Sequence, residues 1–248
     1  MTPDRRARLW AQVDHEAGDE PVAVEHVCRL LIEVAGVDGV AVSLVAGRAS
    51  PEPVWASDDL AARVAELTVT LGEGPAHDIV AGGGPVLAPD LVDPAWRRRW
   101  PGFTLAVAEL DVRAVLALPL QVGTVRLGVL LLHRAEPGGI DGDRLTNVLV
   151  LADSITLLLL EGVEGGRRSL PDGDAAWRAD GFSLQVHQAT GMIIVQLGVS
   201  AEVAFSRLRA HAYAQGRRLG DVAEDVVARR LRFAKERPGD YEDEGAAT

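Results

Sequence analysis

Lysine is almost absent from this chain: among 25 basic residues, Lys235 is the only one. That excludes a Gly-Lys-Ser/Thr phosphate loop. It also excludes a phospho-receiver domain, whose chemistry uses a lysine beside the acceptor aspartate. Cysteine is equally scarce. With Cys28 alone, neither an internal disulfide nor a Cys-x-x-Cys metal site can form, and a reducing cytoplasm is the expected setting. Aromatic residues make up 4%. Long apolar runs are missing too: Val148–Leu160 is interrupted by Asp153, Ser154 and Thr156, and falls short of the ~20 residues that cross a bilayer. The first 20 residues are too charged for a signal peptide. No Gly-x-Ser-x-Gly elbow occurs, and His15, His26, His77, His133, His187 and His211 show no His-x-x-x-His pairing. The expectation is a non-enzyme with no membrane partner, no metal and no cofactor that the residues name.

Aliphatic residues, by contrast, are ample, with 48% of the chain hydrophobic. Charge is distributed unevenly. The chain carries −11 overall, yet residues 181–237 hold nine Lys and Arg against five Asp and Glu, or +4. The remainder holds 16 against 31, or −15. A basic segment within an acidic protein is the footprint of a polyanion partner that avoids indiscriminate binding.

Periodicity predicts three short helices in that basic segment. Val186, Ala189, Ile193 and Leu197 recur at helical spacing, and Gly198 provides a stop. Ser200 is a candidate cap, with Glu202 in the following turn. Ala204, Phe205, Leu208 and Ala212 make the second stripe, which Gly216 ends. Val222, Ala223, Val226, Val227 and Leu231 make the third, with Asp221 near its start and Arg229, Arg230 and Arg232 near its end; Pro238 prevents continuation. Each stripe is too small to stand alone, so the three are expected to pack as one bundle.

The ordered residues Val186-His-Gln-Ala-Thr-Gly-Met, Gly198-Val-Ser200, Ala204-Phe205, Leu208-Arg209 and Leu219-Gly-Asp221-Val-Ala223 resemble the ANTAR domain, the RNA-binding output module of bacterial transcription antiterminators. The chain departs from many members at Thr190, where they carry a basic residue. The resemblance implies binding to stem-loops in nascent mRNA. Candidate RNA contacts are His187, Gln188, Thr190, Arg209, His211, Gln215, Arg217 and Arg218, which flank or lie off the apolar stripes. Lacking a receiver domain, the chain is not the two-component form of that architecture.

Upstream, Val24, Val27, Leu31 and Val34 line one helical face. Strands are expected at Val40–Val45, Pro53–Ala56 and Val86–Ala88. Arg113–Leu120 and Val125–Leu132 flank Val122-Gly123-Thr124, a hairpin signal. A helix carrying Leu60, Val64 and Leu67 lies between the second and third strands. A long one from about Asp141 carries Leu145, Val148, Leu149, Ala152, Ile155 and Leu159. Pro94–Pro101 is expected in a loop, as a lid or as Trp rings plugging the sheet edge. Gly82-Gly83-Gly84 is expected to be a flexible turn. Strands outnumber crossover helices, so an antiparallel sheet faced by helices is expected, making the whole chain α+β with an all-α end.

This order, with Leu71-Gly-Glu-Gly-Pro75, resembles a GAF domain, a sensor of varied small molecules. Relatives with this output often carry Cys where this chain has Ala76, so thiol chemistry there is excluded. Glu73, Trp96 and Trp100 are the candidate ligand contacts. The expected layout is an N-terminal helical or flexible segment at 1–19, a sensor at 20–162 and a linker at 163–180 in which Trp177 docks on a domain. The output module follows at 181–237, then a disordered acidic tail at 238–248. The resemblance implies a homodimer joined through terminal helices. Two other readings stay open: a protein-interaction module controlled by the sensor, and a DNA-binding regulator.

Overall fold

The computed structural model describes residues 3–45, 51–164, 177–178 and 180–234. Most of the predicted linker, the side chain of Trp177 and the whole predicted tail lie outside them. The chain divides into two compact units, Met1–Ser183 and Leu184–Thr248.

The first unit runs α1 (Pro3–Ala17), α2 (Val24–Ala35), β1 (Gly39–Leu44), β2 (Glu52–Ala56), α3 (Asp59–Leu71), α4 (Pro75–Val80) and β3 (Val86–Ala88). It continues with α5 (Pro94–Arg99), α6 (Pro101–Ala108), β4 (Ala114–Val122), β5 (Val125–Arg134), α7 (Gly142–Glu164) and β6 (Trp177–Arg178). All strand pairs are antiparallel, in the order β3-β4-β5-β1-β2-β6. Val122 pairs with Val125 across Gly123, whose φ of 60° closes the β4–β5 hairpin in two residues. At the far edge, the Trp177 backbone pairs with Ala56.

Alternation along the strands separates two cores. Val40, Val42, Leu116, Leu118, Leu130 and Leu132 face α2 and α7, where Val27, Leu31, Val148 and Ile155 meet them. Ala41, Ala117, Val129 and Leu131 face the other way, against Ala62, Val64, Ile79 and Phe103 from α3, α4 and α6. Two expected face residues are displaced: Leu60 and Leu149 are exposed, because α3 buries Ala61 and Ala62 instead and α7 buries Val148 and Ala152.

The expected loop around residues 94–101 is helical. Asp93 accepts the Ala95 N–H at 2.7 Å and Pro94 opens α5, while Pro101 opens α6. Gly82–Gly84 form a fixed turn rather than a loose one. The Gly83 N–H donates to the Asp78 carbonyl at 2.9 Å, and the Arg126 guanidinium donates to the carbonyls of Ile79 and Gly83.

In the second unit, α8 (Asp180–Leu197), α9 (Ala201–Ala214) and α10 (Leu219–Val227) follow one another. The chain bends by 107° between α8 and α9. Val186, Ala189, Ile193, Ala204, Leu208, Ala212, Leu219, Val222, Ala223 and Val226 form the buried centre. The Ser200 side chain caps α9 by accepting the Val203 N–H at 3.3 Å. The third helix is shorter than expected: it ends at Val227, well before Pro238. Arg229 adopts φ 60°, and the Arg230 N–H returns to the Asp225 carbonyl at 2.8 Å, so the helix is closed by a Schellman turn without glycine. Among the described residues, no single helix is long and apolar enough to cross a membrane.

Candidate nucleic-acid interface

The residues expected to touch RNA occupy three positions in the second unit. His187 and Gln188 are exposed on α8, while Thr190 is half-buried and turns its hydroxyl back to the Val186 carbonyl at 2.7 Å. On α9, the Arg209 guanidinium lies 5.6 Å from the centre of the Phe205 ring, and burial lowers its proton affinity. His211 meets Phe233 edge-on at 5.4 Å. Gln215 ends α9 and is exposed, and Gly216 with φ 59° turns the chain. Arg217 follows and pairs with Asp225 at 2.7 Å. Arg218 occupies the N-cap position of α10.

The structure joins Gln188 to residues that were not among the candidate contacts. Gln188, Gly191, Met192, Val195 and Gln196 on α8 face Val227, Arg229 and Arg232 across an open groove of about 700 Å³. Gln196 Oε1 accepts the Phe233 N–H at 2.8 Å and so fixes the segment after α10 as one wall. Arg230, by contrast, is folded onto Glu224 at 2.8 Å and Asp225 at 2.5 Å. The visible signal was Gly191, a glycine in the interior of a predicted helix.

In the first unit, Glu73, Trp96 and Trp100 come together, each with partners inside the protein. Glu73 Oε1 accepts the Phe103 N–H at 2.7 Å, at the open start of α6. Trp100 is 1% exposed, stacks on Trp96 at 4.9 Å and donates Nε1–H to Asp78 Oδ2 at 3.0 Å. Arg99 donates to the same oxygen at 2.7 Å. A separate cavity of about 200 Å³ opens where β3 and β4 meet residues 138–140. Leu87, Leu116, Leu132 and Ile140 line it, with Arg134 as the charged group.

Glu20, Glu25 and His26 bring three possible ligand atoms within 4.8 Å of one another. His26 Nδ1 accepts the Ala23 N–H at 3.0 Å, which leaves the proton on Nε2, facing Glu25 Oε1 at 3.5 Å. In that tautomer His26 donates and does not ligate. Arg29 also stands 4.0 Å from the other Glu25 oxygen.

A sheet faced by helices is thus followed by a separate small helical bundle with a cationic groove. The family models agree: the GAF domain matches residues 19–159 and the ANTAR domain residues 184–227. The chain belongs to the GAF-domain family and carries an ANTAR domain as its second module. These are sensor and regulatory domains rather than catalytic ones, and together they make a sensor-regulated ANTAR regulator. Solved structures similar to this chain include a GAF domain of a phosphoenolpyruvate-protein phosphotransferase from Coxiella burnetii. It is 16% identical, covering 67% of this chain and 99% of that one, with a TM-score of 0.48. The GAF domain of the same kind of enzyme from Acinetobacter is similar at 12% identity, over 67% and 99%, with a TM-score of 0.49. No curated protein matches the chain.

Proposed function

We propose that this chain is an RNA-binding transcription antitermination regulator. The helices of residues 181–237 grip stem-loops in nascent mRNA and so keep a terminator hairpin from forming. The sensor of residues 20–162 controls that grip through the linker at 163–180. The observation that carries the reading is the coincidence of the ANTAR match with the basic segment, +4 against −15 for the remainder. Arginines hold phosphates and fix position, while Gln188, Gln215 and the histidines offer polar groups to exposed loop bases. His187, Thr190, Arg209, Arg217 and Arg218 complete the contact set.

Two RNA hairpins suit two output modules, so the working form is a homodimer. Exposed Leu149 and Leu157 on α7 and Trp10 on α1 offer apolar surface for that pairing. The signal is a small molecule or a partner protein. The cavity beside Arg134 favours a small apolar molecule with an anionic end. Such a ligand shifts the output only through unequal affinity for two states of the sensor.

An RNA gel shift tests the reading. Arg217→Glu with Arg218→Glu is expected to abolish binding to a cognate double hairpin, and wild-type affinity is expected to fall steeply with salt. Unchanged affinity in the double variant overturns the assignment. Binding to duplex DNA but not RNA, or to neither, assigns the bundle to one of the other two readings.

A further inference from the structure

Three departures from ordinary helix chemistry meet in one groove of the second unit. Gly191 lies in the interior of α8, where glycine is unfavourable relative to alanine. A Cβ built on it meets nothing within 4 Å, so packing inside the protein does not demand it. Val195, one turn further on, is 84% exposed. Arg229 holds φ 60°, a region that penalises any residue with a Cβ and that α9 enters through a glycine, Gly216. Each departure weakens the bundle taken alone, and clustered violations of this kind mark functional sites.

All three side-chain positions line the groove of about 700 Å³. Its lining carries two guanidinium groups and no carboxylate. Arg217 and Arg230 are held on Asp225 and Glu224. Arg229 and Arg232 have no acidic partner among the described residues. Two guanidinium groups without an acidic partner among the described residues therefore sit here, beside apolar surface.

We propose that this groove receives one unpaired base of an RNA loop, with the flanking phosphates on Arg229 and Arg232. The proposal rests on the RNA-binding reading above and adds the subsite to it. Met192 and Val195 offer an apolar, polarisable floor for the face of the base. The bare backbone at Gly191 lets the nucleotide approach the helix axis. Gln196 has its carbonyl oxygen committed to Phe233, which leaves its amide N–H₂ as the donor for a base edge. The volume falls within the range of about 300–1,000 Å³ typical of small-ligand sites, room enough for a nucleotide. A second copy of this chain fits the groove less well. A twofold interface sets the same patch against itself, which would place arginine against arginine.

The test uses the full-length chain and a library of tandem RNA hairpins with randomised loops. Wild-type protein first enriches its ligands, and affinities for them are then measured by fluorescence anisotropy at several salt concentrations. Gly191→Leu and Arg229→Gly are each expected to weaken binding about tenfold or more. Arg232→Ser and Arg229→Gly are each expected to lower the salt slope by about one. Arg229→Gly relieves the strained φ, so its thermal midpoint should rise while its affinity falls, a pair of changes that misfolding cannot produce. One loop position, made abasic, should cost wild type about tenfold and Met192→Ala much less. Variants that bind the enriched RNA as tightly as wild type overturn the groove and leave the RNA reading intact. Variants that keep RNA affinity but lose a dimer in sedimentation also overturn it, in favour of a second copy. Enrichment of no RNA by wild type overturns the underlying reading itself.

Discussion

Arg217 and Asp225 meet at 2.7 Å, tying the turn after α9 to the last turn of α10. Arg230 closes on the other Asp225 oxygen at 2.5 Å. Hydrogen bonds from Arg230, then from Arg217, hold the Asp225 carboxyl below its ordinary value of 3.8. One carboxylate thus restrains two arginines of the output module.

Asp225→Asn is expected to release Arg217 and to leave Arg230 on Glu224 alone. RNA affinity should then rise at low salt, and the salt dependence should steepen by about one phosphate contact per arginine recruited. The thermal midpoint should fall at neutral pH. The sign follows from the depressed folded value: stability from this carboxylate is present above pH 3.8 and is lost as pH falls through the lower folded value. Thermal melts of wild type and variant should therefore differ at neutral pH and converge in acid. An unchanged salt slope would show that Arg217 does not reach RNA.

His133 gives the sensor a pH dependence of the same sign in a higher pH window. It is 2% exposed, and its Nε2 has no hydrogen-bond partner among the described residues. Burial lowers its proton affinity below the ordinary 6.5, outweighing the pull of Asp58 and then Asp38. The unfolded chain takes up the proton first, so stability is full above the unfolded value and declines as pH falls below it toward the folded value. Melting of the first unit between about pH 7.5 and 5 should show that decline, and His133→Gln should flatten it. A melting profile that is level in wild type would refute the assignment.

Strong periodicity and caps made much of this fold legible. Ser200, Gly198 and Gly216 delimited α9 in the sequence because a hydroxyl cap and a left-handed glycine are local devices. Helices α4, α5 and α6 were harder to see, since six to eight residues span barely two turns and show little period. Their one local sign was a proline at each start, preceded in α5 by Asp93. The end of α10 was hidden for a different reason: Arg229 occupies a position where glycine is expected. Glu73 bonding to the Phe103 backbone spans 30 residues and has no sequence signature. For the same reason the groove was only half legible. Gly191 is visible as an oddity, but Arg229 and Arg232 join it through the fold.

Cys28 should be chemically silent in the folded protein. It is fully buried on α2, and burial, followed by the Glu25 charge, pushes its thiol well above the usual range. The thiolate is the reactive form, so native protein should resist iodoacetamide and label only when the first unit unfolds. Fast labelling under native conditions would overturn this. It would also reopen thiol sensing, which the buried Ala76 cannot supply.

Trp100 separates a structural from a ligand-gating role in the sensor. Its ring stacks on Trp96, meets Phe103 edge-on at 6.0 Å and shares Asp78 with Arg99. Truncating so buried an aromatic removes both transfer energy and packing, so Trp100→Ala is expected to cost about 3–5 kcal/mol. Trp100→Phe keeps a ring but removes the indole N–H, leaving Asp78 to Arg99 at a cost of about 1 kcal/mol. Because Trp100 lies in the first unit, both variants should lower only that unit's melting transition. RNA binding by the second unit should persist below that transition. Were Trp100→Phe to alter the response to a bound ligand with no change in melting, the ring would be a lid rather than a plug.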